Sequence, residues 1–222
     1  MAIGFRILPI TKRVAPSIVE AFRALPVANV SDSMSRMTAG GPRLRPYYSG
    51  PTMAGPALTV RTRPGDNLMV HKALDIAEPG DIVVVDAGGD LTNALIGELM
   101  QAHARARKLG GMVINGAIRD VSALRASEFP VFAAGVTHRG PYKDGPGEIG
   151  VAIAIDGMVI EPGDLMLGDE DGILCVPAAE VETVLKATQA KHAAEEKQMA
   201  ATLAGTSDRA WVDVTLKKLG VI

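Results

Sequence analysis

The 222-residue chain predicts an α/β fold, and three features of its text point that way. Ile82-Val83-Val84-Val85 is apolar at every position, as expected of a strand covered on both faces. On either side of it, Asn67 to Ile76 and Gly97 to the Gly110-Gly111 break carry helical spacing, so helix and strand alternate through the middle of the chain. The third is Ala178 to Ala204, alanine-rich and full of Glu, Lys and Gln, with high helix propensity throughout.

From the N-terminus, Ile18, Phe22 and Leu25 share one side of a helix that Pro26 ends. A second helix begins around Val30 to Met34, with Ser31 or Asp32 as its cap. The Gly- and Pro-rich stretch from Thr38 to Pro51 reads as a surface loop. Ala57 to Thr62 alternates in period two and predicts a strand. Pro-Gly-Asp occurs three times, at Pro64, Pro79 and Pro162, and each copy reads as a turn. Past Asp120, Val121 to Ser127 reads as a short helix and Val131 to Ala134 as a strand. Four further short strands, Val151–Ile155, Met158–Ile160, Leu165–Leu167 and Ile173–Val176, make the second half β-rich. Nothing resembles a linker, so residues 1–222 are expected to form one domain. The last helix is too long to lie wholly on a core of this size, so its far end should project or rest on another subunit.

Composition excludes several functions. A net charge of −2 gives no electrostatic reason to expect nucleic acid or an anionic membrane as partner. No apolar run is long enough to span a bilayer. In the N-terminal segment Arg6 interrupts the only apolar stretch and no small-residue cleavage site follows, so a cytoplasmic location is expected. The single cysteine, Cys175, excludes an internal disulfide and reads as a buried small hydrophobe. Ser31, Ser33 and Ser122 have no histidine or lysine at a recognisable spacing. The sequence Asp86-Ala87-Gly88-Gly89-Asp90 lacks a nucleotide-binding pattern and reads as a turn approaching the active site.

Chemistry concentrates between Gly97 and Asp120. Packing the helix antiparallel to the following strand would bring Glu98, Arg119 and Asp120 around one helix N-terminus. Taken alone, Asp120 reads as an N-cap and Arg119 as a solvated or paired charge. A strand ending in Arg-Asp aimed at another helix's start favours a function, because desolvating those charges is costly. Asn93 could cap the helix, but Gly97 is the better start functionally: the amides of Glu98, Leu99 and Met100 would then be unpaired, and with Arg119 they would seat a carboxylate. His71, His103, His138 and His192 are scattered without ligand spacing, which speaks against zinc. An all-oxygen site with Asp120 as inner ligand suits Mg²⁺ or Mn²⁺.

Several runs carry a resemblance: GPALTVRTRPGDNLMVHKALDIAEPGDIVVVDAGG, GELM, GMVINGAIRDV, PVFAAG and IEPGDLMLGDEDGILCVP. Over roughly Val27 to Leu203 the chain resembles the family joining 4-hydroxy-4-methyl-2-oxoglutarate aldolases with the regulators of ribonuclease activity A. The aldolases carry an acidic residue, twenty intervening residues, then Arg-Asp. Glu98, Arg119 and Asp120 match that spacing, with Glu where the aldolase pattern has Asp. The resemblance implies that Asp120 ligates a divalent cation, Mg²⁺, Mn²⁺ or another. Arg119 and the Gly97–Met100 turn, through the amides of Leu99 and Met100, would hold the pyruvate portion, and Glu98 would contact water on the metal. It implies a further glutamate from a neighbouring subunit's C-terminal helix. Glu195 and Glu196 both fit that region, with a solvated helix face as the alternative. The implied fold is a β/β/α sandwich like the swivelling phosphohistidine domains, with N-terminal helices and a long C-terminal helix, assembled as a homotrimer or hexamer.

The resulting expectation is a metal-dependent lyase. It would cleave small 2-oxo acids to pyruvate, by retro-aldol cleavage of 4-hydroxy-4-methyl-2-oxoglutarate, by oxaloacetate decarboxylation, or by both. The alternative is a non-enzymatic regulator that binds a ribonuclease or helicase. The loop Thr137 to Gly147, with His138, Arg139, Tyr142 and Lys143, is read as a solvated subunit contact in preference to a wall for the distal end of a substrate.

Overall fold

A computed structural model describes residues 3–38 and 40–222. Met1 and Ala2 of the N-terminal segment, and Ala39 of the predicted Thr38–Pro51 loop, lie outside the described residues. The elements run β1 (Phe5–Ile7), α1 (Pro16–Arg23), α2 (Val27–Ser33), β2 (Arg45–Pro46), β3 (Met53–Thr62), α3 (Leu68–Ile76), β4 (Ile82–Asp86), β5 (Ala94–Ile96), α4 (Glu98–Ala106), β6 (Gly111–Ile118) and α5 (Val121–Arg125). There follow β7 (Val131–Val136), β8 (Gly147–Ile149), β9 (Ile153–Ile155), β10 (Met158–Ile160), β11 (Leu165–Asp169), β12 (Gly172–Val176), α6 (Val181–Leu203) and α7 (Ala210–Lys218).

The sheet is mixed, in the order β1-β8-β3-β4-β6-β7-β2, and its middle, β3-β4-β6-β7, is parallel. Both faces are covered, and the sequence of β4 shows why it carries no polar residue before Asp86. Val83 and Val85 face a layer of helices, packing with Leu74 of α3, Met100 and Ala104 of α4 and Leu124 of α5. Ile82 and Val84 face the other way, onto Ile153 and Ile155 of β9, Ile160 of β10 and Cys175 of β12. Each such side chain, fully buried, contributes roughly 1.5–3 kcal/mol. The same double cover corrects the reading of β3. Its period-two alternation predicted a half-exposed strand, yet only Arg61 along its length is exposed, and the Thr59 hydroxyl is satisfied by the Val151 carbonyl at 2.7 Å.

A third cluster joins Phe22 of α1, Val30 of α2 and Val181 and Val184 of α6 to Leu165 and Leu174 of the β11–β12 hairpin. Here the prediction for α2 needs correcting. The helix starts at Val27, so Ser31 and Asp32 lie inside it and cap nothing. Pro26, with φ −59°, presets the first turn, and the Val27 N–H is taken by Asp169 Oδ2 at 3.0 Å, so a distant carboxylate does the capping. Asp32 pairs instead with Lys191 of α6 at 3.1 Å.

The Pro-Gly-Asp copies are turns, with Gly65, Gly80 and Gly163 at φ +74°, +90° and +92°. At one sheet edge, β8 pairs in parallel with β1. That contact is clamped by Glu148, 1% exposed, which receives the Arg6 and Arg61 guanidiniums and the Gly4 N–H. In α6 the buried residues are Val181, Val184 and Thr188. No later residue of that helix is buried, and neither is any residue of α7. No helix among the described residues is long and apolar enough to cross a membrane.

Candidate active site

The predicted site assembles where β5 runs beside the end of β6, with Ala94 opposite Ala117 and Ile96 opposite Ile118. This register makes neighbours of the two chain exits, at Gly97 and at Arg119. The Arg119 N–H donates to the Ile96 carbonyl at 3.0 Å.

Gly97 caps α4 with extended backbone and no side chain to offer. Asp120 reaches across to supply what is missing: its Oδ2 accepts the Glu98 N–H at 3.0 Å. Asp120 does so from the left-handed region, φ 58° and ψ 38°, where an aspartate costs roughly 1–2 kcal/mol. The N-cap reading is therefore half right. The Asp120 carbonyl accepts the N–H groups of Ala123 and Leu124 and so begins α5, but its side chain makes no cap bond there and serves α4 instead. A larger residue at 97 would push on the site's own side chains, because a Cβ there would run into Asp120 Oδ2 and stand 3.1 Å from Arg119 Cγ.

Arg119 Nε lies 3.8 Å from Asp120 Oδ2, with both side chains 44% exposed. At that distance and exposure the pair is weak and both charges are available to a ligand. The first bond within α4 joins the Gln101 N–H to the Gly97 carbonyl. Leu99 and Met100 sit ahead of it, so their amides have no partner inside the helix. Together with Gly97, Arg119 and Asp120 they line a cleft of about 120 Å³. Glu98 is exposed on the same turn, outside the wall.

Sequence reasoning missed Asn67 and His71 and set Lys143 aside; all three line the same cleft. The only signal was the cationic loop after Thr137, read as a solvated contact; Pro141 and Lys143 of that loop line the cleft. The Asp86–Asp90 turn does not approach the site as expected. Asp86 Oδ1 holds the Gly88 N–H and the Asn115 amide, and Gly89 faces Arg43.

Glu195 and Glu196 are absent from this cleft. Glu195 accepts from Asn29 of α2 at 2.8 Å and pairs with Lys191 at 2.8 Å. These contacts, Lys191 first, hold its carboxyl below the usual range. Among the described residues Glu196 meets only His192, at 3.8 Å. Cys175 is buried, as predicted; burial and then the Asp164 charge push its thiol far up, so it is no nucleophile.

Among the described residues no three His, Cys, Asp or Glu side chains gather to enclose a metal ion. A single carboxylate at an open cleft, with Asp120 Oδ1 holding no protein hydrogen bond among those residues, suits a hard cation that keeps most of its water.

A family model described as RraA-like, Aldolase/RraA, matches residues 27–175. The chain belongs to the Aldolase/RraA family. Both walls of the cleft fall inside the matched segment, whereas α6 beyond its start, with Glu195 and Glu196, falls outside it. Of Aldolase/RraA relatives, a Halalkalibacterium halodurans protein named "Putative 4-hydroxy-4-methyl-2-oxoglutarate aldolase" is 39% identical over 178 residues, 80% of this chain and 85% of its own. Among solved structures, an uncharacterized protein from Pseudomonas syringae pv. tomato str. DC3000 matches with TM-score 0.80 and 25% identity, over 88% of this chain and 96% of that one. The RNA-processing inhibitor RraA from Thermus thermophilis matches with TM-score 0.63 and 31% identity, over 68% of this chain and 92% of that one.

Proposed function

We propose that this cleft belongs to a divalent-metal-dependent carbon–carbon lyase. It releases pyruvate from small 2-oxo acids, by retro-aldol cleavage of 4-hydroxy-4-methyl-2-oxoglutarate, by oxaloacetate decarboxylation, or by both. The observation that carries the reading is the bond from the Glu98 N–H to Asp120 Oδ2, which fixes a carboxylate, a guanidinium and two free helix amides around one small cleft. The name of the Halalkalibacterium relative supports the same chemistry.

In this reading Asp120 would hold the cation, Mg²⁺ or Mn²⁺. When bound, the cation supplies Lewis-acid polarisation of the 2-oxo group. Arg119 and the amides of Leu99 and Met100 bind and orient the adjoining carboxylate, and Arg119 favours the negative charge that develops as the carbon–carbon bond breaks. Glu98, whose side chain lies outside the wall in the single chain, would have to turn toward the cleft to orient the water that takes the proton from the 4-hydroxyl oxygen. The further glutamate that the aldolase pattern draws from a second copy, in a trimer or hexamer, we assign to Glu195. Of the two candidate glutamates it is the one held in place, by Asn29 and Lys191.

The test is pyruvate release from both substrates with EDTA and with added Mg²⁺; turnover indifferent to chelation rejects the metal's role. A regulator that binds a ribonuclease or helicase is the second reading, supported by the likeness to the Thermus RNA-processing inhibitor. Capture of a ribonuclease, together with no turnover of any 2-oxo acid, would establish it instead.

A further inference from the structure

Between α2 and α6 runs a line of alternating charges. Arg36, just past α2, places its Nε 2.8 Å from Asp32 Oδ1. The Lys191 ammonium stands 3.1 Å from Asp32 Oδ2 and 2.8 Å from Glu195 Oε1. An uncharged group closes the far end, where the side-chain amide of Asn29, a buried residue, donates to Glu195 Oε2 at 2.8 Å. Both oxygens of Glu195 are thus held, one from each helix. The other charged groups nearby are engaged elsewhere: Glu196 with His192 on α6, and Glu20 with Arg23 on α1. Lys191 is therefore the cation that sets the direction of Glu195.

Stability does not account for this arrangement. A lysine four residues ahead of a glutamate is the weaker order for a helix pair. The two side chains are 32% and 44% exposed, and pairs so exposed add little, while fixing two long side chains costs rotamer freedom. What the network does achieve is a half-exposed carboxylate of fixed orientation. It sits on the part of α6 past Thr188, where no residue is buried. The mouth of the cleft is uncovered as well. Leu99 on its wall is 84% exposed, and Val136, beside Ile118 on the strand that delivers Arg119, is exposed too. Contact between copies would cover both surfaces and bring the fastened carboxylate to the cleft.

We propose that Lys191 is a positioning residue of the lyase site. It acts through Glu195, holding that carboxylate in the orientation in which it meets the cleft of a second copy, and Asp32 and Arg36 hold Lys191 in turn. This rests on the lyase reading and on the place given there to Glu195, but the residue itself is chosen by the network.

The test measures pyruvate release from oxaloacetate and from 4-hydroxy-4-methyl-2-oxoglutarate, with Mg²⁺ present, in Lys191→Met, in Glu195→Ala and in the double variant. Lys191→Met keeps the aliphatic stem and loses the charge. Its kcat should fall roughly ten- to hundredfold through misplacement of Glu195, with KM within about threefold and with melting temperature and assembly size unchanged. Lys191→Arg, which can still span Asp32 and Glu195, should recover most of the loss. Read at high enzyme concentration, the double variant should be no slower than Glu195→Ala alone, as expected when one residue works only through the other. Losses that add in the double variant, or a fall in kcat that accompanies dissociation of the assembly, overturn the proposal. A normal kcat in Lys191→Met beside an impaired Glu195→Ala rejects the role of Lys191 and leaves that of Glu195 standing. Full activity in Glu195→Ala, or no pyruvate from the unaltered protein, rejects both.

Discussion

Asp120 and Glu98, twenty-two residues apart, are joined by a single hydrogen bond from the Glu98 N–H to Asp120 Oδ2 at 3.0 Å. The bond sets where the carboxylate stands relative to the start of α4, and it leaves the other carboxylate oxygen free. One side chain thus has a structural and a chemical half, and the two can be separated.

Asp120→Asn keeps an oxygen for the Glu98 N–H but loses the charge. Its melting temperature should stay close to that of the unaltered protein, while Mg²⁺ binding by calorimetry disappears and pyruvate release falls on the order of 10²–10³-fold. Asp120→Ala should lose the same activity and also about 0.5–1.5 kcal/mol of stability. An Asp120→Asn protein that still turns over at a normal rate would reduce Asp120 to a cap.

Gly97→Ala asks whether the glycine serves the backbone or the site. With φ −153° the backbone is extended and accepts any residue, so the effect must come from the Cβ meeting Asp120 Oδ2 and Arg119 Cγ. The expected outcome is a roughly tenfold or greater fall in kcat/KM, with a loss of about 1–3 kcal/mol in urea titration. A change in stability alone would mean that Asp120 can shift without consequence.

How far this was legible in the text follows from the range of each interaction. β4 and α3 were readable because hydrophobic period is local, whereas the start of α4 stood between Asn93 and Gly97 and was chosen on functional grounds. The Glu98–Asp120 proximity was readable because a short connection forces α4 and β6 side by side. The Asp169 carboxylate capping α2 was invisible, since its partner Val27 lies 142 residues away. The loop carrying Lys143 was weighed as a wall and set aside, because its anchoring depends on Asp66 gathering N–H groups from 78 and 79 residues further on. Strands β1, β2, β5 and β8 are each two or three residues long, too short to show a period. α7 follows its own break at Gly205 and buries no residue, so it lacks the apolar face that would announce it.

Glu148 predicts an acid transition at the β1–β8 edge. The Arg6 guanidinium, against the opposing effect of burial, and then the Gly4 N–H and Arg61 draw its pKa down from 4.5 to about 2. A carboxylate lowered on folding stabilises fully above its unfolded value and loses that stabilisation as pH falls through its folded one. The edge should therefore weaken between about pH 4.5 and 2, seen as faster amide exchange in Phe5–Ile7. Glu148→Gln should flatten that dependence and cost about 1–3 kcal/mol at pH 7.

The last prediction concerns sharing of the site between chains. Beyond Thr188 no residue of α6 is buried, and neither is any of α7, where Trp211 is 63% exposed; such surface is expected to be covered in an assembly. If Glu195 works in the cleft of a second copy, Asp120→Asn and Glu195→Ala should each be inactive alone. Co-expressed in equal amounts, they should regain about a quarter of normal activity, because one site in four then draws Asp120 from one variant and Glu195 from the other. Sites contained within single chains would regain nothing, since every chain lacks one of the two groups. A Glu195→Ala protein with full activity would sink the assignment by itself. Its bonds to Asn29 and Lys191 would then be no more than the fastening of α6 onto α2.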